Sequence, residues 1–252
     1  MTGPSPSAAA AQAPTAGDVS EKDRLLAQYA EVASLAGGLA HEIRNPLSTI
    51  RMNLELLGED VEELDDPRRQ RMLRKIERIQ LECGHLEEVL TAFLQFSRAG
   101  ELETEIADLG GVVKEFIAFY EPEARRLGVE LSPHLDADLP PVRLDRALIR
   151  QVLMNLALNA QQAMPDGGML ELQAYRCEEA VCLDIIDSGC GIDPSAQQRM
   201  FQAFFSTKPG GSGLGLPTAR KIIEAHGGTI HCESEPRRGS RFTIRLPAAA
   251  PE

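Results

Sequence analysis

Apolar residues recur every three or four positions from Leu25 to Leu57, and this spacing constrains the fold more than any other feature of the chain. It predicts one long amphipathic helix with a single buried stripe. A second series with the same spacing runs from Met72 to Phe93, after an acidic interruption and Pro67, a residue suited to the first turn of a helix. Two long helices with a short connection predict an antiparallel hairpin.

The hairpin by itself would leave part of each apolar stripe in water. Pairing of two hairpins in a four-helix bundle would bury both stripes, so we expect a homodimer. The alternative is that one hairpin docks against the remainder of its own chain.

The pattern changes after Glu103 to a mixture of helices and strands. Alternation and periodicity predict helices over 109–127, 145–164 and 216–227, and strands over 129–135, 169–176, 180–186, 229–234 and 240–246. This order favours an α+β sandwich, in which helices cover one face of a single sheet. The expected organisation is a disordered tail over 1–21, a helical hairpin over 22–100 and an α+β domain over 101–252, with a hinge over 99–104.

Composition and charge exclude several classes of partner. A net charge of -12 disfavours binding to nucleic acid or to anionic lipid. No apolar run approaches the ~20 residues of a membrane span, and the first twenty residues lack the features of a secretory signal. We therefore expect a soluble, cytoplasmic protein. The five cysteines form no CxxC pair, so reduced thiols are expected rather than disulfides or zinc ligands.

His41 lies in the string HEIRNPL within the first predicted helix. It is two positions from the apolar residue on either side, about 200° around the helix from the buried stripe, so its imidazole should face solvent. Pro46 removes the helical partner of the Glu42 carbonyl and predicts a kink, and Asn45 lies one turn after His41 on the same face. An exposed histidine beside a carboxylate can act as a nucleophile, but the pair alone equally fits an ordinary surface position.

Two further segments carry polar residues at places where a ligand could bind. Asn155 and Asn159 in NLALNAQQAMP are four residues apart and therefore share one helix face. Asp187, Gly189 and Gly191 in DSGCGI follow the apolar strand VCLDII. Taken singly, the first pattern is typical of the polar side of a helix and the second of a turn at a strand end.

A glycine-rich stretch, FQAFFSTKPGGSGLGL, directly precedes the last predicted helix. Backbone amides in such a turn, together with a helix N-terminus, form a site for phosphate groups. The stretch lacks the GK[ST] ending of a Walker loop. Lys208 is its one cation, and it could reach a terminal phosphate. Phe201, Phe204 and Phe205 are expected to anchor the stretch through apolar contacts, although ordinary core packing would also explain them.

Five segments of the chain resemble, in the same order, motifs of the sensor histidine kinases of two-component systems, especially the nitrogen-regulation type. They are HEIRNPL, the three later segments described above and the terminal GGTIHCESEPRRGSRFTIRLP. The resemblance covers about residues 25–248. It implies a dimerisation and phosphotransfer hairpin followed by an ATP-binding domain of the histidine kinase, gyrase, Hsp90 and MutL type. The cofactors implied are ATP and Mg²⁺.

The resemblance also implies a role for each motif residue. His41 would be phosphorylated, Glu42 would assist removal of its proton, and Asn45 would orient water during dephosphorylation of a partner. Asn159 would coordinate Mg²⁺ and Asn155 would belong to the phosphate and metal shell. The nucleotide would be bound by Asp187, Gly189, Gly191, Lys208, Gly211, Gly213, Leu214 and Gly215.

The implied function is autophosphorylation of His41 from ATP and transfer of the phosphoryl group to an aspartate of a response regulator receiver domain. Two alternatives are an ATPase of the same superfamily and a non-catalytic protein that binds a regulator. Asn155 argues against the ATPase, since those enzymes carry a glutamate base in this helix. Many members of this family carry Lys or Arg three residues after the second asparagine, where it can contact a phosphate. This chain has Gln162 there, so the phosphate contact is either supplied by Lys208 or missing. No sensor module is recognisable before the hairpin, so the input is expected from a separate sensor protein, the dimer state or the tail.

Overall fold

The computed structural model describes residues 43–59, 61, 68–100, 102–208 and 211–249. The predictions for the tail, for the start of the first helix and for the orientation of His41 and Glu42 lie outside the described residues. Residues 43–59 form helix α1, and helix α2 spans Arg69–Arg98.

Helices α1 and α2 pack side by side around a small apolar cluster. Buried side chains from both helices and their connection form it, namely Leu47, Leu54, Val61, Ile76 and Cys83. Arg51 and Glu87 join the two helices at 3.7 Å across the exposed side. Since the connection between the helices is short, they run in opposite directions, which confirms the predicted hairpin.

A second set of apolar side chains on this hairpin remains exposed in the single chain. Its members are Ile43, Ile50, Met52, Leu56, Leu57, Met72, Ile79, Leu81 and Leu86. So much apolar surface on one small unit is typical of a face that binds another protein. None of the helices within the described ranges is both long enough and apolar enough to cross a bilayer.

The rest of the described chain forms an α+β domain, which confirms the predicted fold class. Its elements in chain order are β1 (Glu105–Ala107), α3 (Leu109–Arg126), β2 (Val129–Leu135), β3 (Val142–Leu144), α4 (Arg146–Ala163), β4 (Gly168–Cys177), β5 (Ala180–Asp187), α5 (Pro194–Gln197), α6 (Gly215–Ala225), β6 (Thr229–Glu235) and β7 (Gly239–Pro247). Strands β2, β4, β5, β7 and β6 form one sheet in that spatial order, while β1 and β3 form a separate antiparallel pair.

The core lies between the main sheet and the three long helices. Strands β2 and β4 are parallel and the other neighbours in the sheet are antiparallel. Alternate residues of β4 are buried, whereas almost every residue of the central β5 is buried. Helices α3, α4 and α6 contribute apolar stripes to the same cluster, with Phe116, Leu153 and Ile222 among the fully buried side chains.

Asp145 is the N-cap of α4, and it also ties three parts of the domain together. Its Oδ1 accepts hydrogen bonds from the amides of Ala147 and Leu148 at the start of α4, and its Oδ2 accepts one from the amide of Glu103 at 3.0 Å. Its own amide donates to Nε2 of the buried His226, which follows α6, at 2.9 Å. The start of α4, the end of α6 and the incoming chain are therefore joined at one point.

The predicted helices and strands of this domain are present, with ends that shift by at most two residues, and three short elements escaped prediction. Strands β1 and β3 have three residues each, too few for alternation to be visible. Helix α5 has four residues, although Asp193 as its cap and Pro194 in its first turn are recognisable start signals.

The expectation that all five cysteines are reduced is wrong for one pair. Cys177 and Cys182 form a disulfide bond, with their Cα atoms 6.1 Å apart. The two-residue connection between β4 and β5 places both side chains on the same face of the hairpin, since Cys177 pairs with Ala180 in the ladder. Cys83, Cys190 and Cys232 are free.

We predict that purified protein, unfolded without reductant and alkylated, gains three carbamidomethyl groups by mass spectrometry, for the three free thiols, and five after reduction. In the chain-entropy account, the bond should raise the free energy of unfolding by about 2 kcal/mol because it closes a short loop. Cys177→Ser is the control and should give four groups without reductant. Five groups on the unreduced wild type would contradict the assignment.

Candidate functional site

A cavity of about 570 Å³ opens between α4, the start of α6 and the segment 201–214, here called the lid. Residues 209 and 210 of the lid lie outside the described residues. Nine of the ten residues expected to bind the nucleotide or its Mg²⁺ line this cavity, namely Asn155, Asn159, Asp187, Gly191, Lys208, Gly211, Gly213, Leu214 and Gly215. Gly189 does not line it but lies beside it, where its amide donates to Asp187 Oδ1 at 2.9 Å.

One wall of the cavity is a polar stripe of α4. Asn155, Asn159 and Gln162 are spaced by four and three residues, so they stand on one face of the helix. Asn155 Nδ2 donates to the carbonyl oxygen of Gly215 at 3.1 Å, which joins this wall to the first residue of α6.

The N-terminus of α6 forms the opposite wall. Leu214 stands at the N-cap position, and no side chain there bonds to the first amides of the helix. Uncapped amides and the positive end of the helix dipole favour an anion. Gly213 precedes this end with φ +66°, and a Cβ there would lie 2.6 Å from the carbonyl carbon of Phe204, so only glycine fits the turn.

Asp187 closes the inner end of the cavity, where β5 stops. The residue is 5% exposed, and burial raises the pKa of its carboxyl, while hydrogen bonds from Gly189 and Ser240 act in the opposite direction. The turn that follows packs closely, because a Cβ on Gly191, at φ +69°, would lie 2.1 Å from the carbonyl oxygen of Glu235. An aspartate at the floor of such a narrow site can accept a hydrogen bond from a ligand amine.

Lys208 reaches from the lid to the polar stripe of α4. Its Nζ donates to Gln162 Oε1 at 2.7 Å and to Asn159 Oδ1 at 3.4 Å. Desolvation lowers the pKa of Lys208, and the nearby Cys190 and Asp187 oppose this effect. The Lys208 ammonium thus lies beside Gln162, the position at which the sequence resemblance leads us to expect a Lys or Arg.

The three lid phenylalanines do not share one role. Phe201 packs against the main core, and Phe205 lines the cavity with the Arg199 guanidinium 4.3 Å from its ring centre. Phe204 is 64% exposed at φ +63°, so the expectation that it anchors the lid is wrong. Its amide donates to the carbonyl of Gly213, and this bond holds the turn while the ring faces solvent.

Sequence reasoning missed the contribution of the hairpin to this cavity. Ala92 and Gln95, near the end of α2, belong to its lining. It also missed Ser240, which pairs with Asp187 across the strands β5 and β7. No local pattern marks these residues, since their role depends on which distant elements come together.

Asn45 is exposed on α1, on the end of the hairpin that borders the cavity. It lies six residues before Arg51, and Phe93 lies six residues after Glu87. Because Arg51 and Glu87 form a cross-helix ion pair, Asn45 and Phe93 both lie about 9 Å further along the hairpin, at the same level. The described part of HEIRNPL therefore lies at the level of α2 that Ala92 and Gln95 occupy.

Oxygen donors for a hard cation are present on α4. Among the described residues no group of three or more His, Cys, Asp and Glu side chains is arranged to hold a metal. Asn159 already binds one cationic group, the Lys208 ammonium, through the amide oxygen. Amide oxygens suit Mg²⁺, which usually takes few protein ligands and completes its shell with water and phosphate.

Comparison with known proteins gives two matching families. Residues 31–102 match the "His Kinase A (phospho-acceptor) domain", and residues 144–250 match "Histidine kinase-, DNA gyrase B-, and HSP90-like ATPase". The signal transduction histidine-protein kinase AtoS of Escherichia coli (strain K12) is 35% identical over 231 residues, which are 90% of this chain and 37% of that protein. The chain spans half the length or less of the first curated relatives that it matches.

Solved structures agree with this result. Full-length ShkA in complex with AMPPNP is 27% identical, with a TM-score of 0.67 over 86% of this chain and 47% of that one. Histidine kinase ThkA in complex with the response regulator protein TrrA is 25% identical, with a TM-score of 0.64 over 90% of this chain and 66% of that one. A helical hairpin followed by an ATPase-type α+β domain defines the core of a histidine kinase. The chain belongs to the sensor histidine kinases of two-component systems.

We predict that Asp187→Asn separates stability from nucleotide binding. Burial raises the pKa of the Asp187 carboxyl in the folded state above its unfolded value of 3.8. The folded state therefore binds the carboxyl proton more tightly than the unfolded state does, and its stability falls as the pH rises from the unfolded pKa through the folded pKa. The neutral amide should therefore raise the unfolding temperature at neutral pH. It should weaken AMPPNP binding about tenfold, since a charged acceptor is lost.

Calorimetry without nucleotide and titration with AMPPNP check the two effects. Asp108→Asn is the control, because this residue caps α3 away from the cavity and asparagine caps equally well. A lower unfolding temperature for Asp187→Asn would contradict the prediction.

Proposed function

We propose that this chain is an ATP-dependent protein-histidine kinase that phosphorylates its own His41 and passes the phosphoryl group to an aspartate of a response regulator. The observation that carries the proposal is the shared cavity. Residues of α2, within the phospho-acceptor region, line it together with α4 and α6 of the ATPase-type domain. A donor site bordered by the acceptor hairpin is the arrangement that a self-phosphorylating kinase requires.

We propose that ATP binds with its adenine at Asp187 and its phosphates at the lid. The buried carboxylate would accept from the exocyclic amine, and the free amides at the start of α6 would bind phosphate oxygens. Lys208 would add a positive charge at the terminal phosphate from its position beside Gln162 and Asn159. ShkA, which was solved with the ATP analogue AMPPNP, supports this choice of ligand.

In the transfer step a nitrogen of the neutral His41 imidazole would form a bond to the γ-phosphorus. The bond from that phosphorus to the bridging oxygen breaks, and ADP leaves with the electron pair. Glu42 would take the proton that the imidazole loses. The amides before α6 and Lys208 would stabilise the charge on the transferring group, which is the main task of a protein in phosphoryl transfer.

Mg²⁺ fits beside this site and would neutralise charge on the phosphates when bound. Asn159, and Asn155 in the surrounding shell, would hold it through their amide oxygens, because both line the cavity on the polar stripe of α4. Asn155 also supports a kinase over a simple ATPase, since an amide cannot act as a general base for water.

We further propose a homodimer in which the exposed apolar residues of α1 and α2 pair two hairpins into a four-helix bundle. The domains would then divide as a tail over 1–21, the hairpin over 22–100 and the ATP-binding domain over 101–252. Because ATP is the proposed substrate, these domains would work in the cytoplasm. The response regulator as acceptor rests on ThkA, which was solved with the regulator TrrA.

We predict that incubation with γ-labelled ATP and Mg²⁺ gives a protein-bound label that acid removes and alkali does not, as expected for phosphohistidine. His41→Gln should abolish it, because glutamine has no nucleophilic ring nitrogen. His85→Gln, on α2 of the same hairpin, is the matched control and should label like wild type. Equal labelling of His41→Gln and wild type would reject the proposal, and phosphate release without label would favour an ATPase.

We predict that Asn45→Ala affects dephosphorylation more than phosphorylation. The amide of Asn45, four residues after His41, would orient water, and removing it should slow release of phosphate from a phosphorylated regulator by about tenfold or more. Asn53→Ala is the control, since Asn53 is also exposed on α1 but donates to the carbonyl of Thr49 at 2.8 Å. Equal phosphatase rates for both variants would remove Asn45 from this role.

A further inference from the structure

The end of α2 is built into the nucleotide-binding domain. Ala99, which follows the helix, is 0% exposed and belongs to the main core cluster. Lys221 of α6 donates through Nζ to the carbonyl oxygens of Phe96 at 3.0 Å and Ser97 at 3.1 Å. These carbonyls lie in the last turn of α2, where no later helical amide is available to bond them.

The contact is favourable for several physical reasons at once. A cation at a helix C-terminus interacts with the negative end of the dipole. The ammonium of Lys221 also lies 5.1 Å from the ring centre of Phe96, within the range of a cation–π contact. The stem of the lysine packs beneath the turn, since a Cβ on Gly100 would lie 3.8 Å from Lys221 Cε.

The same helix end forms part of the nucleotide cavity. Ala92 and Gln95 lie within about one turn of the carbonyls that Lys221 binds, and both line the cavity. Helix α6 therefore borders the ligand site with its first residues and binds α2 from its middle. Displacement of α2 from Lys221 would remove one wall of the cavity.

Both ends of the expected hinge over 99–104 are fixed in this conformation. Ala99 is buried in the core, and the amide of Glu103 donates to Asp145 Oδ2 at 3.0 Å. A swing of the domain about this segment requires that the contact with Lys221 be broken first. In the conformation described, movement about the expected hinge therefore requires the loss of these contacts.

We propose that Lys221 is a positioning residue that clasps the end of α2 so that Gln95 completes the nucleotide site. Nucleotide binding and docking of the hairpin then strengthen each other by the same factor, as linkage requires. The inference rests on the proposed function in one respect, namely that the cavity binds an adenine nucleotide. The clasp itself is a contact between helices and can be tested without nucleotide.

A double-mutant cycle on the full chain tests the coupling. The affinity for AMPPNP is measured by titration for wild type, Lys221→Met, Gln95→Ala and the double variant. Each single change is expected to weaken binding, Lys221→Met by about fivefold or more. The double variant should bind no more weakly than Lys221→Met, because Gln95 has already left the site. Fully additive losses would overturn the proposal.

Hydrogen exchange of the amides over 96–104 reports docking independently of the nucleotide. In Lys221→Met these amides should exchange at least about fivefold faster than in wild type, with AMPPNP absent. Lys221→Arg, which keeps the donors, should restore both slow exchange and affinity. Lys114→Met, on the exposed side of α3, is the control and should match wild type.

The outcomes separate the two proposals. Unchanged exchange in Lys221→Met overturns the clasp, whatever the protein binds. Failure of wild type to bind AMPPNP, together with fast exchange in Lys221→Met, overturns the proposed function and with it the role of the clasp in nucleotide binding.

Discussion

Helices α4 and α6 pack on the same side of one sheet, and the hydrogen bond from Asn155 to the carbonyl of Gly215 joins them where the ligand site opens. The rest of the site depends on this contact. It sets the polar stripe of α4 opposite the uncapped start of α6, so that amide oxygens and backbone N–H groups face the same space. The hydrogen bond from the Asp145 amide to His226 also joins the start of α4 to the end of α6.

Most of the fold follows from periodicity. Long helices and buried strands carry strong apolar patterns, and Asp145 and the glycine after α6 mark where helices start and stop. The short strands β1 and β3 carry no such pattern. The disulfide is a separate case: the lack of a CxxC pair predicts reduced thiols, whereas the register of β4 with β5 places Cys177 and Cys182 on the same face.

The residues of the candidate site also fall into two groups, those that a sequence motif predicts and those that it does not. Residues within a motif, such as Asn159 and Asp187, could be predicted because their neighbours in sequence are also their neighbours in space. Gln95 and Lys221 could not, since the role of each depends on the packing of α2 against α6, which no local pattern indicates. For Phe204 the sequence predicts an apolar anchor, yet the ring is exposed. An apolar residue in a turn need not be buried when its backbone holds the turn.

The two edges of the main sheet are protected against pairing with another sheet. Strand β2 contains Pro133, which has no N–H to offer to an added strand. At the other edge, Gln197 of α5 donates to the carbonyl of Ser234 in β6 at 2.8 Å and so occupies one of its acceptors. If two such chains are held together at high local concentration, these features disfavour pairing of their α+β domains, and hence aggregation, through the edge strands.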